Sequence, residues 1–227
     1  MLEDQSTEET LPARIPIFPL GGVLLLPNAR LPLNIFEPRY LDMTRDAMAG
    51  DRVIGMVQPS SQSLSTERPA VYGIGGAGRI TAFQETKDKR LEITLTGLSR
   101  FAIIEELSVT TRYRQVKADW DRYDADRWGE DETAGIDRNR LLMALQAYLE
   151  LAEIPADWDS IVKAETGPLI TSLAMICPFG PAEKQALLEA HDLFERSRIM
   201  TALVEMSLLH RASGGREDQD GDGHKIH

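Results

Sequence analysis

The sequence contains one cysteine, Cys177, among 227 residues. A single thiol cannot close an intrachain disulfide or supply a Cys-only zinc site, so a disulfide scaffold is excluded. No apolar run approaches the ~20 residues that a membrane-spanning helix needs. No lysine follows a glycine, which removes the Walker A loop and any case for ATP hydrolysis. No Gly-x-Ser-x-Gly elbow occurs. The opening MLEDQSTEET has no basic segment of the kind that begins a secretory signal. A reduced, cytoplasmic setting without membrane contact is the expectation. Basic residues are also in deficit: 25 Lys and Arg stand against 36 Asp and Glu, a formal net charge of −11. That total opposes a broad phosphate-binding surface. A hydrophobic content of 42% with 27% charged residues is ordinary for a chain that builds a core.

The negative charge is not spread evenly. Residues 1–10 hold four acids and no base, and residues 119–133 hold seven acids and two bases. Residues 214–227 hold four acids and two bases. These blocks lack apolar periodicity, so burial would not offset their ordering entropy. The expected organisation is a disordered tail over 1–13, a first subdomain over 14–118, an acidic linker over 119–134, a second subdomain over 135–211 and a tail over 212–227. Residues 11–118 are locally basic, with 14 Lys and Arg against 10 Asp and Glu.

The two subdomains differ in period. Short apolar or alternating runs fill the first: Ile15 to Phe18, Val23 to Leu26, Leu31 to Phe36, Val53 to Val57, Arg79 to Phe83, Leu91 to Leu95, Phe101 to Ile104 and Tyr113 to Val116. Leu91-Glu-Ile93-Thr-Leu95 alternates strictly, which predicts one buried and one wet face. Lys87-Asp88-Lys89 sits between two such runs as a hairpin connection. Five prolines between Pro12 and Pro32 mark edge or bent strands. One helix interrupts the strands, with Pro38 in its first turn, an apolar side of Tyr40, Met43, Ala47 and Met48, and Gly50 at its end. The second subdomain follows helical spacing through Leu141, Leu145 and Leu149. It is broken at Pro155, Gly167-Pro168 and Pro178-Phe-Gly-Pro181, and continues to Met206. Strands first and helices second make an α+β chain, with a small partly closed barrel before a helical bundle.

Most motifs that could carry chemistry have plainer readings. Gly73-Ile-Gly75-Gly76-Ala-Gly78 matches a dinucleotide fingerprint, but a strand pattern follows it instead of a helix, so it is read as a turn or bulge. Asp218, Asp220 and Asp222 resemble the start of an EF-hand loop without its twelfth-position glutamate. Cys177 closes an apolar helix with no base nearby and is read as a buried structural thiol. His191 is read as a surface or partly buried helix histidine, and Asp192 with Arg196 as an i,i+4 pair. The basic residues of the first subdomain, among them Arg100, Arg112 and Arg114, are interleaved thinly with Phe83, Phe101 and Tyr113. They are read as a solvated mixed surface more than a nucleic-acid platform. No catalytic residue, cofactor site or metal site emerges.

Three stretches carry a family resemblance: Ile15-Pro-Ile-Phe-Pro-Leu20, Leu31-Pro-Leu-Asn-Ile-Phe-Glu-Pro-Arg-Tyr40, and Gly97-Leu-Ser-Arg100-Phe101. With Glu183-Lys184-Gln185 and the apolar residues after it, they resemble the N-terminal substrate-binding domain of Lon ATP-dependent proteases over about residues 14–211. The resemblance implies a PUA-like β pseudobarrel with one inserted helix, followed by a C-terminal α-helical bundle. It implies a stand-alone, non-enzymatic member that binds unfolded or degron-bearing polypeptides or serves as a protein-interaction module. The alternative is a small-ligand or RNA-binding PUA-like module, with nucleic acid the less favoured partner. Ile35, Phe36, Tyr40 and Met43 are expected in the core. Glu37 and Arg39 are read as an ion pair or as caps of backbone groups. Phe36, Glu37, Arg39 and Tyr40 are the candidates for peptide contact.

Overall fold

The computed structural model describes residues 10–60, 68–128 and 133–217. The chain forms two compact units, residues 1–128 and 129–227. The first contains β1 (Arg14–Pro19), β2 (Arg30–Ile35), α1 (Pro38–Ala49), β3 (Val53–Val57), β4 (Ile74–Glu85), β5 (Leu91–Glu106), β6 (Arg114–Asp119), a 3-10 turn (Asp121–Tyr123) and α2 (Ala125–Trp128). The second contains α3 (Arg138–Leu151), α4 (Trp158–Lys163), α5 (Thr166–Ile176), α6 (Pro181–Glu189) and α7 (Leu193–Glu217).

The strand order is β2-β5-β4-β3-β1-β6, and β6 also pairs with β5. That last pairing closes five strands into a barrel, which removes most free edges. Closure depends on the 16-residue β5. Its first half lies between β2 and β4, and its second half crosses to β6 at Ala102↔Asp119 and Ile103↔Ala118. β1 runs parallel to β3 and antiparallel to β6. Leu91, Ile93 and Leu95 are buried while Glu92 is exposed, as the alternation predicts. β2 is the edge strand, where Pro32 is tolerated because an edge residue can face its missing N–H away from the ladder. The barrel core contains Ile15, Ile17, Val53, Val57, Ala77, Phe101, Val116 and Ala118.

Two expected elements differ. Val23 to Leu26 is not a strand, although Leu24, Leu25 and Leu26 are buried. The segment arches across β4 and β5, and Asn28 N–H donates to the Gly97 carbonyl at 3.0 Å. A Cβ on Gly76 would sit 1.8 Å from the Leu25 carbonyl oxygen, and one on Gly97 would sit 2.0 Å from that of Leu26. The glycine run is therefore no turn. Gly75, Gly76 and Gly78 lie within β4, where the register shift at Ala77/Gly78 agrees with the bulge reading, and their lack of side chains admits the arch. Gly55 and Gly75 make room in the same way for the fully buried Phe101 ring.

The domain limits differ too. Residues 119–128, expected in a linker, belong to the first unit. The Asp126 carboxylate accepts from Arg100 at its backbone N–H (2.9 Å), Nε (2.8 Å) and Nη2 (2.7 Å). Trp120 packs on Phe101 at 5.6 Å, and Tyr123 lies under the Arg100 guanidinium at 4.3 Å. An acidic count treats Asp126 as solvated, but its charge is matched by a buried arginine. Trp120 Nε1 donates to the Pro12 carbonyl and Ala118 N–H to that of Ala13, so the first unit also holds the end of the expected N-terminal tail. α7 continues to Glu217, past the expected boundary at 211. The tail assignments over 1–9 and 218–227, with the Asp218 motif, lie outside the described residues, as does the 129–132 part of the expected linker.

In the second unit α7 packs against α3, α5 and α6. Arg138 holds the α4–α5 corner, donating from Nη2 to the Ala164 carbonyl (2.7 Å) and from Nη1 to Thr166 Oγ1 (3.0 Å). Asp192 Oδ1 accepts from Glu195 N–H at the start of α7, whereas Arg196 is buried and donates to the Leu187 carbonyl.

Candidate functional site

The entry to α1 positions the site. Glu37 is extended (φ −70°, ψ 132°) and Pro38 begins the helix, so the chain turns sharply between β2 and α1. Glu37 does not cap the helix with its side chain. Its Oε2 accepts instead from Arg39 Nε at 3.0 Å and lies 2.9 Å from Arg39 Nη2. That bond turns Arg39 back over the Tyr40 ring, 4.6 Å from its centroid. The other partner of Tyr40 is Phe18 of β1, with ring centroids 4.1 Å apart. Tyr40 thus links the helix to the barrel and forms a floor beneath Arg39. Burial raises its phenol pKa, with the Arg39 charge opposing.

Glu37, Arg39 and Tyr40 line a cleft of about 580 Å³ together with Arg68, Arg112 and Arg114. Tyr113 also lines it, and its hydroxyl donates to Asp46 Oδ2 of α1 at 2.7 Å. Burial first, and then that bond, push the Tyr113 phenol up to about 12. Arg114 is committed internally. It donates to both oxygens of Glu106, at 2.8 and 2.6 Å, and to the Pro69 carbonyl at 2.8 Å. The fork holds the Glu106 carboxyl below its ordinary range. A second cleft of about 560 Å³ shares Arg68 and Arg114 with the first and extends along Glu106 to Thr110.

Three of the four candidate residues therefore meet in one cleft. Phe36 does not join them. It is 62% exposed instead of buried, and the Arg90 guanidinium lies 5.9 Å from its ring centroid. Ile35, Tyr40 and Met43 are buried as expected. Sequence reasoning left Arg112, Tyr113 and Arg114 out of the site. Their only local signal is an aromatic between two arginines, which a solvated strand end also shows.

The remaining motifs gather no chemistry. The Gly73–Gly78 run is followed by the rest of β4, so it does not lead into a helix as a dinucleotide fingerprint does. Cys177 is buried at the end of α5, and burial pushes its thiol up to about 11 against the opposing Lys184 charge. His191 is exposed, with Nδ1 3.5 Å from Asp192 Oδ2. Among the described residues, no group of three or more His, Cys, Asp or Glu could hold a metal ion, and no helix is long and apolar enough to cross a membrane.

Comparison with known proteins gives a consistent relationship. The family model described as ATP-dependent protease La (LON) substrate-binding domain matches residues 14–205. Lon protease 2 of Myxococcus xanthus is 27% identical over 201 residues, which is 87% of this chain and 24% of that protein. Lon protease of Dictyoglomus thermophilum is 26% identical over 211 residues, 91% of this chain and 26% of that protein. The chain spans about a quarter of the length of these curated relatives. Among solved structures, a Lon N-terminal domain protein from Xanthomonas campestris superposes with a TM-score of 0.58 at 23% identity, covering 83% of this chain and 97% of that one. The N-terminal domain of a Mycobacterium avium complex Lon protease gives a TM-score of 0.61 at 16% identity, covering 84% and 97%.

Proposed function

The chain belongs to the LON substrate-binding domain family, and from that membership we propose that it is a non-catalytic module that binds unfolded or degron-bearing polypeptides. The matched region is the substrate-binding domain alone. The observation that carries the reading to particular residues is the cleft at the α1 entry, where Glu37, Arg39 and Tyr40 converge with the Arg112–Arg114 segment. It offers an aromatic floor beside guanidinium donors, a combination suited to a main chain with mixed side chains. Arg39 is the contact residue of choice, because it is half exposed while Tyr40 is buried.

The test is fluorescence anisotropy with a labelled, permanently unfolded polypeptide. Saturable binding is expected, and Arg39→Ala is expected to weaken it about tenfold, equivalent to about 1.4 kcal/mol, with the far-UV circular dichroism unchanged. Absence of binding up to about 1 mM, where even a weak complex of about 4 kcal/mol would be half formed, would sink the proposal.

A further inference from the structure

The arginines of the cleft are not equivalent. Arg114 is held by three hydrogen bonds and its side chain is largely buried. Arg39 and Arg112 are tied by much weaker means. The Glu37–Arg39 pair is exposed on both sides, at 43% and 44%. Arg112 is 72% exposed and only 3.8 Å from Asp42. Exposed pairs of this kind contribute little, because water competes for both partners. Arg68 borders both clefts, and its charge also acts on Glu106. Three guanidinium groups thus face one concave surface, two of them in pairs that an incoming anion can replace at small cost. The Tyr40 and Tyr113 phenols of the floor are neutral at about pH 7, as tyrosines ordinarily are, and the carboxylate beside them, Asp46, is occupied by the Tyr113 hydroxyl.

We propose that this cleft selects polypeptide segments rich in carboxylates, with Arg39 and Arg112 exchanging Glu37 and Asp42 for acidic side chains of the bound segment. The inference rests on the polypeptide-binding reading and deepens it. A guanidinium and a carboxylate match as a two-pronged hydrogen-bonded pair, which a lysine would not reproduce. Glu37 is then an internal competitor that occupies Arg39 when no ligand is bound.

The experiment compares three labelled peptides of about 15 residues that share one apolar framework and differ only in carrying Glu, Gln or Lys at the variable positions, titrated at about 50 and about 500 mM salt, where screening differs strongly. The Glu peptide is expected to bind at least about tenfold more tightly than the Gln peptide at low salt, with the gap shrinking at high salt. The double variant Arg39→Gln/Arg112→Gln is expected to weaken the Glu peptide far more than the Gln peptide, so that the affinity gap between the two closes. Glu37→Gln is expected to act in the opposite sense and tighten the Glu peptide several-fold, an outcome that loss of folding cannot imitate. Equal affinities for the Glu and Gln peptides would overturn the acid preference while leaving polypeptide binding in place. Failure of all three peptides to bind would overturn both.

Discussion

Tyr113 joins the cleft to the helix that frames it, because its hydroxyl donates to Asp46 of α1. Its phenol is pushed up to about 12, by burial first and the Asp46 bond second, so the folded state favours the neutral form. An acid whose folded pKa is raised contributes fully below its unfolded value and loses that contribution as pH rises through the folded one. The window therefore runs from about 10, the ordinary tyrosine value, to about 12. Tyr113→Phe is expected to cost about 1 kcal/mol near pH 8, the usual worth of one hydrogen bond. Urea midpoints measured again near pH 11 should show the gap closed or reversed, and an unchanged gap would remove this account of Tyr113. Residue scale is also where the site was least legible. Tyr40 was readable, since an aromatic on the apolar side of an amphipathic helix is buried whatever it faces. Phe36 was not, because it lies one residue before the turn at Glu37-Pro38, where the strand period has ended and the helical one has not begun. Arg114 comes to the cleft by pairing with Ile17 of β1, and Arg112 lies two residues before it, a long-range contact that no local pattern encodes.

Among the elements, β4 and the Leu24–Leu26 arch show why a correct residue reading can still misplace a segment. Four apolar residues in a row look like a buried strand, and a glycine run looks like a turn. Each describes the other's needs: the arch is buried because β4 and β5 carry glycine where its carbonyls come down, and the glycines are there because the arch crosses them. Only the long-range contact distinguishes close approach from a turn, so neither was legible alone, whereas the Leu91–Leu95 alternation was sufficient for its half of β5. Gly76→Ala should therefore be costly although it adds a single methyl, since the atom it meets is a backbone carbonyl and not a side chain free to rotate. A loss of about 1–3 kcal/mol is expected, the range for overpacking. Gly73→Ala, with nothing within 4 Å of the added carbon, should stay within about 0.5 kcal/mol of wild type, as open surface positions do. Denaturant unfolding of the two variants side by side checks the claim, and equal midpoints would contradict it.

At the scale of the whole molecule, the chain divides at residues 128/129, whereas the acidic composition by itself suggests a linker that begins at residue 119. The difference has an energetic content. Arg100 is 4% exposed and Asp126 9%, and Arg100 has its backbone N–H, Nε and Nη2 on that one carboxylate. Removing one member of a buried pair leaves the other charge without compensation, at about 3–5 kcal/mol. A domain of this size has only about 5–15 kcal/mol in total. The place where the first unit is cut should therefore decide whether it folds. A fragment of residues 10–128 retains the closed barrel with Trp120, Tyr123 and Asp126 against β5, and it should unfold in one cooperative transition. A fragment of residues 10–118, ending where the acidic composition suggests a linker, loses all three, and with Asp126 the three hydrogen bonds it accepts from Arg100. It should unfold at a much lower urea midpoint or fail to fold at 25 °C. Asp126→Ala in the longer fragment should reproduce most of that loss, which separates the ion pair from the packing of Trp120. Matching midpoints for the two fragments would mean that residues 119–128 behave as the solvated linker their charge suggests, and that the Arg100–Asp126 contact does not hold the barrel's end.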